Sequence, residues 1–246
     1  MRGAPILLSL LIGVAACAEP STWQPLFDGK TLGGWTPKIA GEEAGADSRR
    51  TFRAEYGVIR VDYSGYDQFS ENFGHLFAKL GTDRYRLRLE YRFIGEAVEG
   101  APAWARLNSG VMIHSGSADE MSLDQDFPVS LEIQFLAAGA AHPSQSTANV
   151  CSPETSIAID GERREQHCIY SDVPSKPLGE WVSVEIVVDG ADRIVPYVDG
   201  VQSIVIEDVL RDSREPLGTG YLALQSEGHP VEFRNIAWQP LPAKEE

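Results

Sequence analysis

Near the C-terminus, the run Leu224-Gln225-Ser226-Glu227-Gly228-His229-Pro230 places an amide, a carboxyl and an imidazole within five residues. Alternating segments flank it on both sides, ending at Gln225 and resuming at Val231. Gly228 interrupts the first segment, and Pro230 restricts His229 to an extended backbone. A strand that ends in hydrogen-bonding and titratable groups is a common way to build a polar site. Further upstream, Glu132 and Gln134 alternate with Leu131, Ile133 and Phe135, and Arg88 and Glu90 alternate with Leu87, Leu89 and Tyr91. Gly110, Met112 and His114 alternate in the same way with Ser109, Val111 and Ile113, and Asn108 precedes them. Each pattern has a plainer reading: Glu90 beside Arg88 and Arg92 fits a cross-strand salt bridge, and His229 fits a structural hydrogen bond.

Those residues must be positioned by strands. Period-2 alternation dominates the chain, clearest from Arg84 to Ile94, and no stretch gives the apolar stripe of a long helix. Trp181 to Val188, Ile194 to Val198 and Gln202 to Ile206 read as a meander turning at Asp189-Gly190 and Asp199-Gly200. Asp208 to Arg211 reads as one helical turn, and Ser152 to His167 reads as a polar loop. Short strands separated by Gly, Pro and Asp turns predict an all-β fold of two antiparallel sheets. Each sheet of such a sandwich buries one face and wets the other. If the strands are neighbours, one concave polar groove would collect Arg88, Glu90, Asn108, Met112, His114, Glu132, Gln134 and Gln225. Trp35, Trp104, Tyr66 and Trp181 would offer ring faces for a ligand to stack on, with Trp181 reading more plainly as core.

The 246 residues carry a formal charge of −15, which disfavours binding to a phosphate backbone, so no nucleic-acid partner is expected. Arg2 followed by the apolar run Ile6 to Val14 is too short to span a bilayer and reads as an export signal. It ends in Val14-Ala15-Ala16-Cys17, the form of a lipobox, so Cys17 is expected to carry lipid. The expected organisation is a signal over 1–17, a tether over 18–22, one β-sandwich domain over 23–241 and a frayed tail over 242–246. Residue Ala18 fits outer-membrane sorting in a bacterial envelope. With Cys17 committed to lipid, Cys151 and Cys168 form an even pair in an oxidising compartment and are expected to be disulfide-bonded.

Several segments together resemble the family of 3-keto-disaccharide hydrolase domains, formerly a domain of unknown function. They are Leu26-Phe27-Asp28-Gly29-Lys30-Thr31-Leu32 with Trp35, Arg86 to Arg92, Asn108-Ser109-Gly110-Val111, Glu132-Ile133-Gln134, Pro177 to Trp181, Val198-Asp199-Gly200 and Gln225 to Ile236. The resemblance implies a concanavalin-like β-sandwich (jelly roll) acting on glycosides oxidised at C3. The chain departs from the family's usual Gln-Asp-His-Gly turn: Ser226 and Glu227 stand between Gln225 and Gly228, and the histidine is displaced to His229.

The implied chemistry is proton abstraction at C2, acidified by the ketone, with loss of the C1 oxygen substituent and addition of water. It needs a base, an acid for the leaving group and a donor for the enolate oxygen. His114 or His229 suits the base, with Glu132 in competition and Glu90 orienting a partner. Arg88, Asn108 or Gln134 would bind the enolate oxygen, and Gln225 and Glu227 would line the sugar. No cofactor is required, although a divalent cation on His114 with Glu90 or Glu132 is an open alternative. An oxidised sugar is the expected ligand, with a sugar 3-oxidoreductase as a possible functional partner. An ordinary retaining glycosidase is disfavoured, because the Glu132 strand lacks its second carboxylate. A glycan-binding module without catalysis is the rival of a different class.

Overall fold

The structure, a computed structural model, describes residues 22–140, 143–218 and 220–242. The expected signal, the lipobox Cys17 and residues 243–246 of the expected tail lie outside the described residues. Among the described residues, eighteen strands follow in chain order: β1 Gln24–Pro25, β2 Trp35–Ile39, β3 Phe52–Glu55, β4 Val58–Val61, β5 Gly74–Lys79 and β6 Arg84–Phe93. Then come β7 Asn108–Ser115, β8 Leu131–Leu136, β9 Asn149–Cys151, β10 Thr155–Ile159, β11 Glu162–Arg164 and β12 Cys168–Ile169. The last are β13 Val182–Asp189, β14 Arg193–Val198, β15 Val201–Gln202, β16 Ile206–Arg211, β17 Tyr221–Ser226 and β18 Val231–Pro240. Among the described residues, helical structure is limited to single 3₁₀ turns at Ala103–Ala105 and Ala118–Glu120. No helix there is long and apolar enough to cross a membrane.

The strands form two antiparallel sheets, which is the β-sandwich that the alternation predicts. An eleven-stranded sheet runs β11-β10-β16-β14-β13-β6-β18-β4-β3, with β1 added on β18 and β15 on β14. A seven-stranded sheet runs β12-β9-β8-β7-β17-β5-β2. The inward residues of β6 (Tyr85, Leu87, Leu89, Tyr91, Phe93) meet Val111, Ile113, Ile133, Phe135 and Leu224 of the other sheet in one core. Chain order weaves between the layers, so the strands of the C-terminal hairpin separate: β17 joins the small sheet and β18 the large one.

Two segments differ from their sequence reading. Residues 206–211 are strand β16, paired with β10 and β14, because Ile206 and Val209 are needed in the core. Residues 152–167 hold the hairpin β10–β11, which crosses onto the edge of the large sheet. Its turn, Asp160-Gly161, has positive φ at both residues (55° and 74°), the geometry that Asp-Gly favours in tight hairpins. Asp199-Gly200 turns in the same way, at 48° and 82°.

The disulfide Cys151–Cys168 forms as expected, with its Cα atoms 4.1 Å apart across the β9–β12 pair. It closes the excursion that carries β10 and β11, a sequence separation of 17. Replacing both cysteines with serine should cost about 3 kcal/mol in a chain-entropy account. Urea midpoints of oxidised wild type and the double variant check this, and equal midpoints would reject it.

Candidate active site

On the outer face of the seven-stranded sheet, the register aligns the polar residues in rows. One row runs Asn149–Gln134–Gly110 on β9, β8 and β7 and continues through Gln225–His75–Lys38 on β17, β5 and β2. The neighbouring row holds Cys151, Glu132, Met112, Ala223 and Phe77. Glu227 extends this face beyond the end of β17. A pocket of about 330 Å³ opens there, bounded by Trp104, Asn108, Phe127, Glu132, Gln134, Glu227, Pro153, His167 and the disulfide.

Outer sheet faces are normally wet, yet this one is covered. The segment from Gly116 to Ser130 lies over it, with Met121 packed on Phe77, Met112 and Ala223. Gly41 N–H and the Lys38 ammonium both donate to the Leu123 carbonyl, each at 2.8 Å, which ties the strap down. Glu132, Gln225 and Glu227 are therefore buried, at 6%, 0% and 3% exposure. Among the described residues, His75, Asn108, Glu132, Gln225 and Glu227 all have buried side-chain polar atoms with no hydrogen-bond partner. An unmet buried donor or acceptor costs about 1–3 kcal/mol, so a cluster of them on one face is where ordered water or a polar ligand would be taken up.

The two carboxyls dominate the electrostatics. Burial pushes the Glu132 carboxyl up to about 8, with the Gln225 amide pulling weakly the other way. Burial also raises Glu227 well above the usual carboxylate range, and the charge of Glu132 adds to it. Two buried carboxyls that titrate together cannot both ionise cheaply, so the pair holds a proton near neutral pH. Gly110 makes room for one of them: a methyl group there would lie 2.7 Å from Glu132 Oε1. Gln134 is oriented, because Asn149 Nδ2 donates to its Oε1 at 2.9 Å while Asn149 Oδ1 accepts from Ser146 and Ser171. The NH₂ of Gln134 is then the group left for a ligand. Trp104, 57% exposed, stacks on Phe73 at 5.7 Å and presents its ring at the pocket mouth.

Of the residues predicted for the groove, the structure gathers Glu132, Gln134, Asn108, Gln225, Glu227 and Trp104 on this face. It sends the others elsewhere. Arg88 and Glu90 sit on the opposite outer face, that of the large sheet, because β6 belongs to that layer. There Arg234 and Asn235 each donate to Glu90 at 2.8 Å, and the Arg88 guanidinium lies 4.4 Å from the Trp23 ring. Trp35 is a core residue whose indole N–H donates to the Leu26 carbonyl at 2.8 Å.

His114 fails the alternation because β7 bulges at this point. Its φ is +56°, and the pairing with β17 slips between Tyr221 and Ala223. A bulge re-aims the side chain. His114 therefore turns away, its Nε2 meeting the Gly190 carbonyl at 3.1 Å and its ring edge-on to Tyr85. Being 2% exposed, it is not the solvent-side position the pattern implied, and neither is Glu132.

His229 is buried against Phe93 and does not line the pocket; burial, and after it the Arg106 charge, lower its imidazole to about 4. Since His114, Glu90 and Glu132 lie apart, the divalent-cation set considered for them is not assembled. Among the described residues no cluster of three or more His, Cys, Asp or Glu could hold a metal. The sequence reading missed three site residues: His75, the buried Lys38 and the pocket-lining His167. His75 lies in Gly74-His75-Leu76-Phe77-Ala78, a strand covered on both faces, where alternation carries no signal.

Comparison with known proteins agrees with this fold. A candidate glycosyl hydrolase of Parabacteroides distasonis superposes with a TM-score of 0.53 at 15% identity, covering 89% of this chain and 94% of its own. A Bacillus subtilis protein of unknown function with a galectin-like fold also gives 0.53, at 8% identity, with 89% and 98% covered. The carbohydrate-binding module CBM66 of Bacillus subtilis gives 0.51 at 11% identity, with 84% and 95% covered. At these identities the likeness shows the lectin-like sandwich alone. Among curated proteins none matches the sequence. The family model of the 3-keto-alpha-glucoside-1,2-lyase-like domain matches residues 22–239, nearly all of the described chain, and the protein belongs to that family.

Proposed function

We propose that the protein cleaves 3-keto-glycosides by elimination, and that the carboxyl pair Glu132 and Glu227 moves the protons. The observation that carries this is the buried pair itself, both carboxyls raised in pKa, beside the Asn108 and Gln134 amides in a pocket of about 330 Å³. With one proton between them, one carboxylate takes the proton from C2 as electrons shift toward the C3 oxygen. The C1–O bond breaks, and the other carboxyl protonates the departing oxygen. The pair ends with one proton still shared, so the step balances without external acid or base. Addition of water across the C1=C2 bond then yields the free 3-keto-sugar. The NH₂ of Gln134 is placed to donate to a sugar oxygen, Asn108 Oδ1 to accept from a sugar hydroxyl while its Nδ2 donates to the Trp104 carbonyl, and Trp104 to stack on a ring face. The imidazole expected as base is replaced by Glu227 in this reading.

Ordinary retaining hydrolysis would also use two carboxyls, one ionised and one protonated, so the substrate rather than the pair separates the two reactions. The parent sugar tests this. Purified protein incubated with 3-keto-trehalose should release monosaccharide, while trehalose itself should remain intact. Equal cleavage of both would replace elimination with glycosidase chemistry. Measurable affinity without cleavage of several keto-glycosides would leave a glycan-binding module, the rival reading.

Export and lipidation at Cys17 belong to the same proposal, with an oxidised-sugar ligand supplied by a sugar 3-oxidoreductase. The Cys151–Cys168 disulfide supports an oxidising compartment. Mass spectrometry of membrane-fractionated protein would show a diacylated or triacylated Cys17 N-terminus, and an unmodified chain in the soluble fraction would refute it.

A further inference from the structure

Beside the pocket, under Phe127, the row passes through His75 and Gln225, which are both fully buried and directly opposite each other across the β5–β17 pair. Both ring nitrogens of His75 lack hydrogen-bond partners, and the Gln225 amide has only its attraction to the Glu132 carboxyl. Phe127 lines the pocket, and its half-buried ring stands edge-on to His75 with centroids 5.9 Å apart. The backbone around it is fixed: Gln125 Nε2 donates to the Phe127 carbonyl at 2.8 Å and Ser130 Oγ to the Pro128 carbonyl at 3.0 Å. The ring also packs on Phe73, with centroids 5.1 Å apart, so swinging it aside breaks that contact while the chain stays in place.

We propose that His75 and Gln225 form a second subsite for a neutral sugar ring, joined to the pocket when the Phe127 ring swings aside. The inference rests on the carbohydrate reading above. Its ligand chemistry follows from the groups themselves. A neutral imidazole and a primary amide each offer both a donor and an acceptor, which matches hydroxyls that do the same. Burial keeps the imidazole neutral and Lys38 reinforces it: the ammonium lies next in the row and donates to the carbonyls of Ile39 and Leu123, at 3.0 and 2.8 Å. Burial, and after it the Lys38 charge, lower the His75 imidazole to about 3. That positive charge also repels a cation, while the carboxyl pair next to the row repels an anion. A polyhydroxylated, uncharged ring remains, and two adjoining subsites fit a two-ring substrate.

The test compares methyl 3-keto-α-glucoside, which has one ring, with 3-keto-trehalose, which has two. His75→Ala should lower kcat/KM for the two-ring substrate about tenfold relative to the one-ring substrate, the scale of one lost hydrogen-bonded contact. His75→Gln keeps volume and polarity, guards against a folding failure and should recover part of the ratio. Phe127→Ala removes the gate and should move the ratio the other way. His75→Leu should raise Tm, since it replaces unmet polar atoms with apolar ones. An unchanged substrate ratio in both His75→Ala and His75→Gln overturns the subsite. If wild type cleaves neither substrate, the proposed reaction fails, and the subsite is read from the His75 imidazole NMR resonances during titration with trehalose. Movement of those resonances supports it, and their constancy at saturating sugar discards it.

Discussion

Glu132→Gln is expected to lower kcat for 3-keto-glycoside cleavage by about a thousandfold, within the range for loss of a positioned proton donor or acceptor. Glu227→Gln should do the same, and the double variant should be little worse than either, because the pair acts as one device. The pH dependence makes the test specific. Glu132 titrates near 8 in the folded protein, so the working form, with one carboxylate and one acid, grows as pH rises toward that value. Activity should climb along an alkaline-shifted limb, unlike the limb near pH 6–7 that an unperturbed imidazole base would give.

Stability should run in the opposite direction. The folded value of Glu132 lies above its ordinary 4.5. Its contribution is therefore complete below about pH 4.5 and is lost progressively as pH rises toward 8, because the unfolded chain ionises freely while the folded one resists. The difference in Tm between Glu132→Gln and wild type should consequently widen in favour of the variant from pH 5 to pH 8. A protein whose activity rises as its stability falls carries a group held neutral for function. A Tm difference that is flat with pH would mean Glu132 is not held protonated, and the proton-sharing scheme would fall with it.

Much of this site could be read from the sequence because alternation reports which face a residue takes. Glu132, Gln134 and Gln225 lie on the one sheet face that this rule assigns them, whereas Glu227 lies in the turn beyond it. Alternation does not report which of two sheets a strand joins. Arg88 and Glu90 have the pattern of a groove residue and the location of a surface ion pair, since β6 sits centrally in the other layer. Nor does it survive a bulge: one extra residue in β7 reverses His114 while leaving Val111 and Ile113 as read. Strand β5 was hidden for a third reason. A strap of residues far along the chain covers its outer face, so His75 lies among apolar neighbours on both sides and resembles a core residue. Trp35 was misread because an aromatic at a strand start serves equally as platform or as core, and only the hydrogen bond to Leu26 distinguishes them. The exchange of histidine for Glu227 in the turn was visible, but its consequence depended on Glu132 lying close enough to couple.

Gly110 tests the geometry of that coupling without altering any titrating group. A Cβ at this position would lie 2.7 Å from Glu132 Oε1, 3.0 Å from its Cγ and 3.1 Å from the Ile133 carbonyl. The carbonyl belongs to the β7–β8 ladder and cannot yield cheaply, so the carboxyl is what must move. Gly110→Ala should therefore cost about 1–3 kcal/mol in stability from overpacking. It should also lower kcat by about a hundredfold, the scale set by misplacing a catalytic group by roughly an ångström. The decisive comparison is made in the Glu132→Gln background. If Gly110 matters because it seats the carboxyl, adding Ala there should reduce residual activity little further, while the stability cost persists. If the two losses in activity multiply, Gly110 serves the sheet alone, and the placement of Glu132 against its neighbour strand has no part in turnover.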